Sequence, residues 1–89
     1  MTKLHKETLH ARSYRYTVLF EPAEEGGYVV TIPVLGIATE GDTLREARAM
    51  ARDAIRCLIE SLAKDGEDIP VEQPDAITER VAVRMPVHA

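Results

Sequence analysis

Between Thr39 and Gly66 the apolar residues fall on a single helical stripe. Leu44, Ala47, Ala51, Ala54, Ile55, Leu58 and Leu62 recur at steps of three and four, which at about 100° per residue puts them on one face of a helix. The boundaries are marked by residue type. Gly41 can turn the chain, Asp42 or Thr43 can accept from the first free backbone N–H groups, and Thr43-Leu44-Arg45-Glu46 fits a capping box. Gly66 follows Lys64 and Asp65, where a left-handed residue closes a last turn, and Pro70 stands just beyond. Burying the stripe contributes roughly 1.5 to 3 kcal/mol per large aliphatic side chain, against a few tenths for each exposed charge pair. Packing therefore decides where this helix sits.

The remaining pattern has period two. Tyr14, Tyr16, Val18 and Phe20 alternate with Arg15, Thr17, Leu19 and Glu21, which predicts a first strand ended by Pro22. Ala23-Glu24-Glu25-Gly26-Gly27 is a polar turn with glycine where positive φ is needed, and Tyr28 to Ile32 runs back as a second strand. Pro33-Val34-Leu35-Gly36 breaks that strand, and Ile37 to Glu40 is a short third one leading into the helix. Glu67 to Asp75, with Pro70 and Pro74, reads as a connection. Ile77 to Val87 then holds a last strand, with Val81, Val83 and Met85 on one face, Arg80, Arg84 and Ala82 on the other, and Pro86 placing its end at a sheet edge.

The order β-β-β-α-β predicts an α+β fold: a small three- to four-stranded sheet with one long helix on one face. Met1 to Ser13 has no period and reads as a flexible arm, so residues 14–87 form the single domain. Eighty-nine residues give a core that is only modestly stable alone, and pairing with another chain would help. A hydrophobic fraction of 45% argues for a folded chain, and the absence of Trp makes its core mostly aliphatic.

Charge and chemistry narrow the function. A net charge of -4 and a pI near 5.3 disfavour a nonspecific grip on nucleic acid and favour a basic partner. Cys57 is alone, which excludes an internal disulfide and reads as a partly buried structural thiol. No apolar run is long enough to span a bilayer, and the start lacks a signal core, so a cytoplasmic location is expected. His5, His10 and His88 sit in the two end segments and make no metal site by spacing. Ser13 and Ser61 lack a nucleophile turn, and Gly26-Gly27 lacks the phosphate-loop pattern. No catalytic residue, metal ligand or cofactor is therefore expected. Two charged surfaces are candidates for binding: the hairpin residues Glu21, Glu24, Glu25 with Tyr28, and the helix stripe Arg45, Arg48, Arg52 and Arg56. Each also has a plain structural reading, as a soluble hairpin tip and a solvated helix face.

Several segments occur in an order more specific than any one of them. Gly27-Tyr28-Val29-Val30 is followed by Ile32-Pro33-x-Leu35-Gly36, then by Thr39-Glu40-Gly41-Asp42-Thr43-Leu44-Arg45-Glu46-Ala47, and then by Asp65-Gly66-Glu67-Asp68-Ile69-Pro70. This series, spanning about Tyr14 to Pro70, resembles the HicB antitoxin family. The resemblance implies a truncated ribonuclease-H-like fold whose fourth strand returns parallel to the first. It also implies a type II toxin-antitoxin module, in which the antitoxin covers the active site of a small basic HicA messenger-RNA endonuclease.

Two features depart from the family pattern. Pro33-Val34-Leu35-Gly36 is one residue shorter than the common Pro-x-Leu-Pro-Gly, which implies a tighter link into the third strand. The sequence stops at Ala89, where many relatives carry a helix-turn-helix or ribbon-helix-helix domain, so promoter binding by this chain alone is not expected. The leading expectation is a non-enzymatic antitoxin acting as a homodimer. The alternatives are an orphan HicB-like binding or scaffold module, and a metal-dependent nuclease that would need carboxylates such as Glu21 and Asp42.

Overall fold

A computed structural model describes residues 12–87. Three strands, β1 (Leu19–Pro22), β2 (Tyr28–Ile32) and β3 (Ile37–Gly41), form an antiparallel sheet in the order β1-β2-β3, followed by one helix, α1 (Leu44–Lys64). This is the α+β arrangement that the periodicities predict.

Each boundary has a local cause. The hairpin register pairs Leu19 with Thr31 and Pro22 with Tyr28, and Gly26 and Gly27 take φ values of 101° and 77° in the turn between them. Pro33–Leu35 forms one 3-10 turn closed by Gly36 at φ 65°, which makes the link into β3 tight. The same turn shortens β1. Continuing the hairpin register would set Thr17 opposite Pro33, which has no N–H to give, so pairing stops at Leu19 and residues 14–18 lie outside the ladder.

Thr43 caps α1 by accepting the Glu46 N–H on its side-chain oxygen at 3.1 Å. At the other end Glu67 N–H donates to the Leu62 carbonyl and Gly66 N–H to the Ala63 carbonyl, with Gly66 at φ 70°. These are the paired bonds of a Schellman closure.

Val30, Ile32, Ala47 and Ala51 are the buried core, with Tyr16, Val18, Phe20, Tyr28, Leu35, Ile37 and Ile55 packed around them. Of the stripe only Ala47 and Ala51 go fully under, whereas Leu44, Ala54, Ile55, Leu58 and Leu62 are half-buried. Length explains the difference. At 1.5 Å per residue α1 runs roughly 31 Å, whereas five-residue strands reach about 17 Å, so the helix overhangs the sheet. The helix also packs chiefly over β3 and β2 and less over β1.

Gly41 ends β3 without positive φ and is buried beside the first turn of α1, where an added Cβ would lie 2.6 Å from the Ala47 nitrogen. One expectation is corrected. The last strand is not formed: Ile77 to Val87 pairs with no strand among the described residues and is exposed throughout. A hydrogen-bonded turn at Gln73–Ala76 precedes it. The expected arm lies outside the described residues apart from Arg12 and Ser13, as do His5, His10 and His88.

Candidate functional site

The proposed binding residues occupy different parts of the surface. Glu21 is exposed on β1, Glu24 and Glu25 are exposed in the hairpin turn, and Tyr28 at the start of β2 is half-buried against the core. Arg45, Arg48, Arg52 and Arg56 are all exposed along α1. The sole ion pair among the described residues is Arg56 with Asp53 at 3.9 Å, both side chains about two-thirds exposed. Solvent screening at that exposure leaves it little energetic weight. The hairpin tip and the helix start share one end of the molecule, because the Cβ position of Gly27 lies 2.7 Å from the Gly41 carbonyl oxygen. Only Arg45, in the first turn of α1, is therefore near the acidic tip along the helix; Arg56 is about 16 Å farther along.

Arg48 and Arg52 border a groove of about 340 Å³ between α1 and the chain leading into β1. Its apolar floor is Tyr16, Val18, Phe20, Ala51 and Ile55. A second, larger cleft of about 570 Å³ separates residues 12–17 from residues 71–76. There Tyr14 and Tyr16 stack with ring centroids 6.5 Å apart and planes 3° from parallel, and the Arg12 guanidinium lies 5.8 Å from the Tyr14 centroid.

Between these concavities the chain after α1 is fastened to the chain before β1. The Tyr16 hydroxyl donates to the Pro70 carbonyl at 2.6 Å. The Glu72 carboxylate accepts the Thr17 backbone N–H at 2.7 Å and the Thr17 hydroxyl as well. Those two bonds from Thr17 hold the Glu72 carboxyl below its ordinary pKa, while burial, and then the charges of Tyr14 and Glu72, push the Tyr16 phenol above its own. Sequence reading did not single out Thr17, Pro70 or Glu72 for this contact. The partners are more than fifty residues apart, and Glu72 sits in a proline-punctuated connection with no period.

Cys57, expected to be partly buried, is exposed on α1. Its place in the helix puts it about 120° around the axis from Ala51, away from the face on the sheet. Among the described residues no three His, Cys, Asp or Glu side chains converge to hold a metal ion, and no helix is long and apolar enough to cross a membrane.

Residues 16–85 match the model of a protein family described as the HicB-like antitoxin of a bacterial toxin-antitoxin system. The chain belongs to the HicB-like antitoxin family. It is similar to the UPF0150 protein Ta0767 of Thermoplasma acidophilum, 45% identical over 65 residues that cover 72% of this chain and 94% of that protein. Antitoxin HicB 1 of Photorhabdus laumondii is 45% identical over 71% of this chain and 41% of its own length. Antitoxin HicB of Escherichia coli K12 is 38% identical over 67% of this chain and 44% of its own. The chain thus spans less than half the length of these two HicB antitoxins and nearly all of the UPF0150 relative. No solved structure matches it significantly. The HicB-like match runs through Met85, so the exposed segment after Ile77 belongs, almost to its end, to the family domain.

Proposed function

We propose that this HicB-like chain is an antitoxin domain that neutralises a small basic HicA-like messenger-RNA endonuclease by occupying the surface through which RNA reaches the toxin. The observation that carries the reading is the family match over residues 16–85. Inhibition of this kind requires affinity and steric cover and no chemistry from the inhibitor, so the chain acts as a binding protein, in the cytoplasm where messenger RNA is cut. The net charge of -4 suits a basic partner. Glu21, Glu24 and Glu25, with the edge of Tyr28, present carboxylates to cationic side chains of the toxin. The arginine stripe Arg45, Arg48, Arg52 and Arg56 is a second contact surface, for carboxylates of another protein chain. The working form is a homodimer, consistent with a core that buries only small and medium aliphatic side chains.

The test is an RNA-protection assay with the toxin encoded beside this gene. Excess chain is expected to abolish cleavage, and Glu24→Lys with Glu25→Lys to weaken inhibition at least tenfold. Cleavage at an unchanged rate in the presence of excess chain would remove the antitoxin reading. One observation favours a second reading, an orphan HicB-like binding module: the chain covers 94% of a relative whose name carries no antitoxin role. A genome without a small basic reading frame beside this one would select it.

A further inference from the structure

We propose that residues 77–87 are an exchanged strand, which completes the sheet of a second copy of this chain by pairing with the open edge of its β1. The inference rests on the homodimer reading and names the surface that makes it.

The segment is built as a strand and has nothing to pair with in its own chain. Ile77, Glu79, Val81, Val83, Met85 and Val87 share one parity, apolar without a break from Val81 onward, and Thr78, Arg80, Ala82, Arg84 and Pro86 take the other. In the single chain Val81, Val83 and Met85 are 74%, 72% and 69% exposed. An alternating apolar face of that kind, carried inside the family domain, is a face that something covers.

The acceptor is equally specific. β1 is an edge strand, bonded to β2 on one side and to no strand on the other among the described residues. Its inner face, Val18 and Phe20 with Tyr16 before them, is half-buried and floors the groove beside Ile55, on the flank where α1 packs less closely than over β2 and β3. A strand added at this edge in the matching register lays valines and methionine into that groove. On the outer face Arg80 and Arg84 then lie beside the row that holds Leu19 and Glu21, opposite charge facing opposite charge. Roughly 36 Å of extended chain over 77–87 is long enough for the approach to β1 and β1 itself.

The turn at the base of the segment selects a second copy as occupant. Glu72 is held on Thr17, at the start of the chain's own β1 edge, and a strand closing on that edge would run on extended from there. Instead Ala76 N–H donates to the Gln73 carbonyl at 3.2 Å, folding the backbone at Pro74, a residue with no N–H to offer the edge. Beyond that turn the segment is exposed and pairs with no strand of its own sheet among the described residues. Under two-fold symmetry each copy gives its strand and receives the other, so both edges close at once.

The experiment uses full-length chains in a Cys57→Ser background, one carrying Leu19→Cys and the other Ala82→Cys, refolded together and treated with a short thiol-specific cross-linker. Molecular mass in solution is measured alongside, for the parent chain and for Val83→Asp, which is tolerated by a lone chain because Val83 is exposed there. The proposal expects a parent mass of two copies, halved by Val83→Asp, and a cross-link joining the two different chains. A parent chain that is monomeric at every concentration overturns both the exchange and the homodimer reading. A dimer whose mass survives Val83→Asp and which forms no such cross-link overturns the exchange alone. A chain carrying both cysteines that cross-links only within itself shows the strand closing on its own β1, and also overturns it.

Discussion

At Gly41 the fold is least tolerant of an added atom. A Cβ there would stand 2.6 Å from the Ala47 nitrogen and 2.7 Å from its Cα, both backbone atoms of a capped helix that cannot swing aside like a side chain. Gly41→Ala is expected to destabilise the chain by about 1 to 3 kcal/mol, the usual range for overpacking a core. Urea unfolding measures it, and an unchanged midpoint would mean that α1 slides off β3 without loss. The sequence marks Gly41 as special but not why: a glycine before a cap motif reads as a turn, and its backbone contact with Ala47 is visible only once strand and helix are docked. Cys57 fails to be legible for a similar reason. Its burial depends on how far around the axis the sheet extends, which the stripe of alanines and leucines marks only at its centre.

Among the elements, those whose order comes from their own residues were readable and those that depend on a neighbour were not. Thr43 and Gly66 bracket the helix, and Gly26-Gly27 and Gly36 bracket the strands, so β2, β3 and α1 appear where the pattern puts them. The first strand is shorter than its alternation suggests because Pro33 withholds a partner. The last strand keeps its alternation but has no sheet to join within one chain. The contact that joins the ends of the domain, Thr17 and Tyr16 on Glu72 and Pro70, responds to pH in a direction the geometry sets. Because Glu72 is held below its ordinary value near 4.5, its bonds from Thr17 contribute fully above that pH and are lost as pH falls through the lower folded-state value. Tyr16 has the opposite sign: its phenol is raised, so its contribution holds below 10 and fades as pH rises through the raised value. Comparing urea midpoints at pH 7 and pH 3, Glu72→Gln is expected to lose less stability on acidification than the parent. An equal loss in both would show that this contact does not link folding to protons.

For the whole molecule, charge and core size point toward association. On the proposed reading, a chain with net charge -4 meets a basic toxin under long-range attraction, and added salt screens that attraction. Raising ionic strength from about 0.05 to 0.5 M is expected to slow association with the toxin by on the order of tenfold, with a smaller effect on dissociation. Stopped-flow binding checks this, and a salt-independent on-rate would remove the acidic hairpin from the encounter. A core of Val30, Ile32, Ala47 and Ala51 is thin for a chain of this length, and Leu58 and Leu62, on the part of α1 that overhangs the sheet, are only half-buried. The fastening of Glu72 on Thr17 followed by the fold at Pro74 has a consequence for lifetime. A lone copy presents residues 77–87 as exposed, unpaired polypeptide, open to a protease, whereas a strand seated in a sheet is withheld from it. If the segment is protected only by a neighbour, mass action ties survival to abundance: slow synthesis leaves solitary chains to be trimmed, and fast synthesis shelters them.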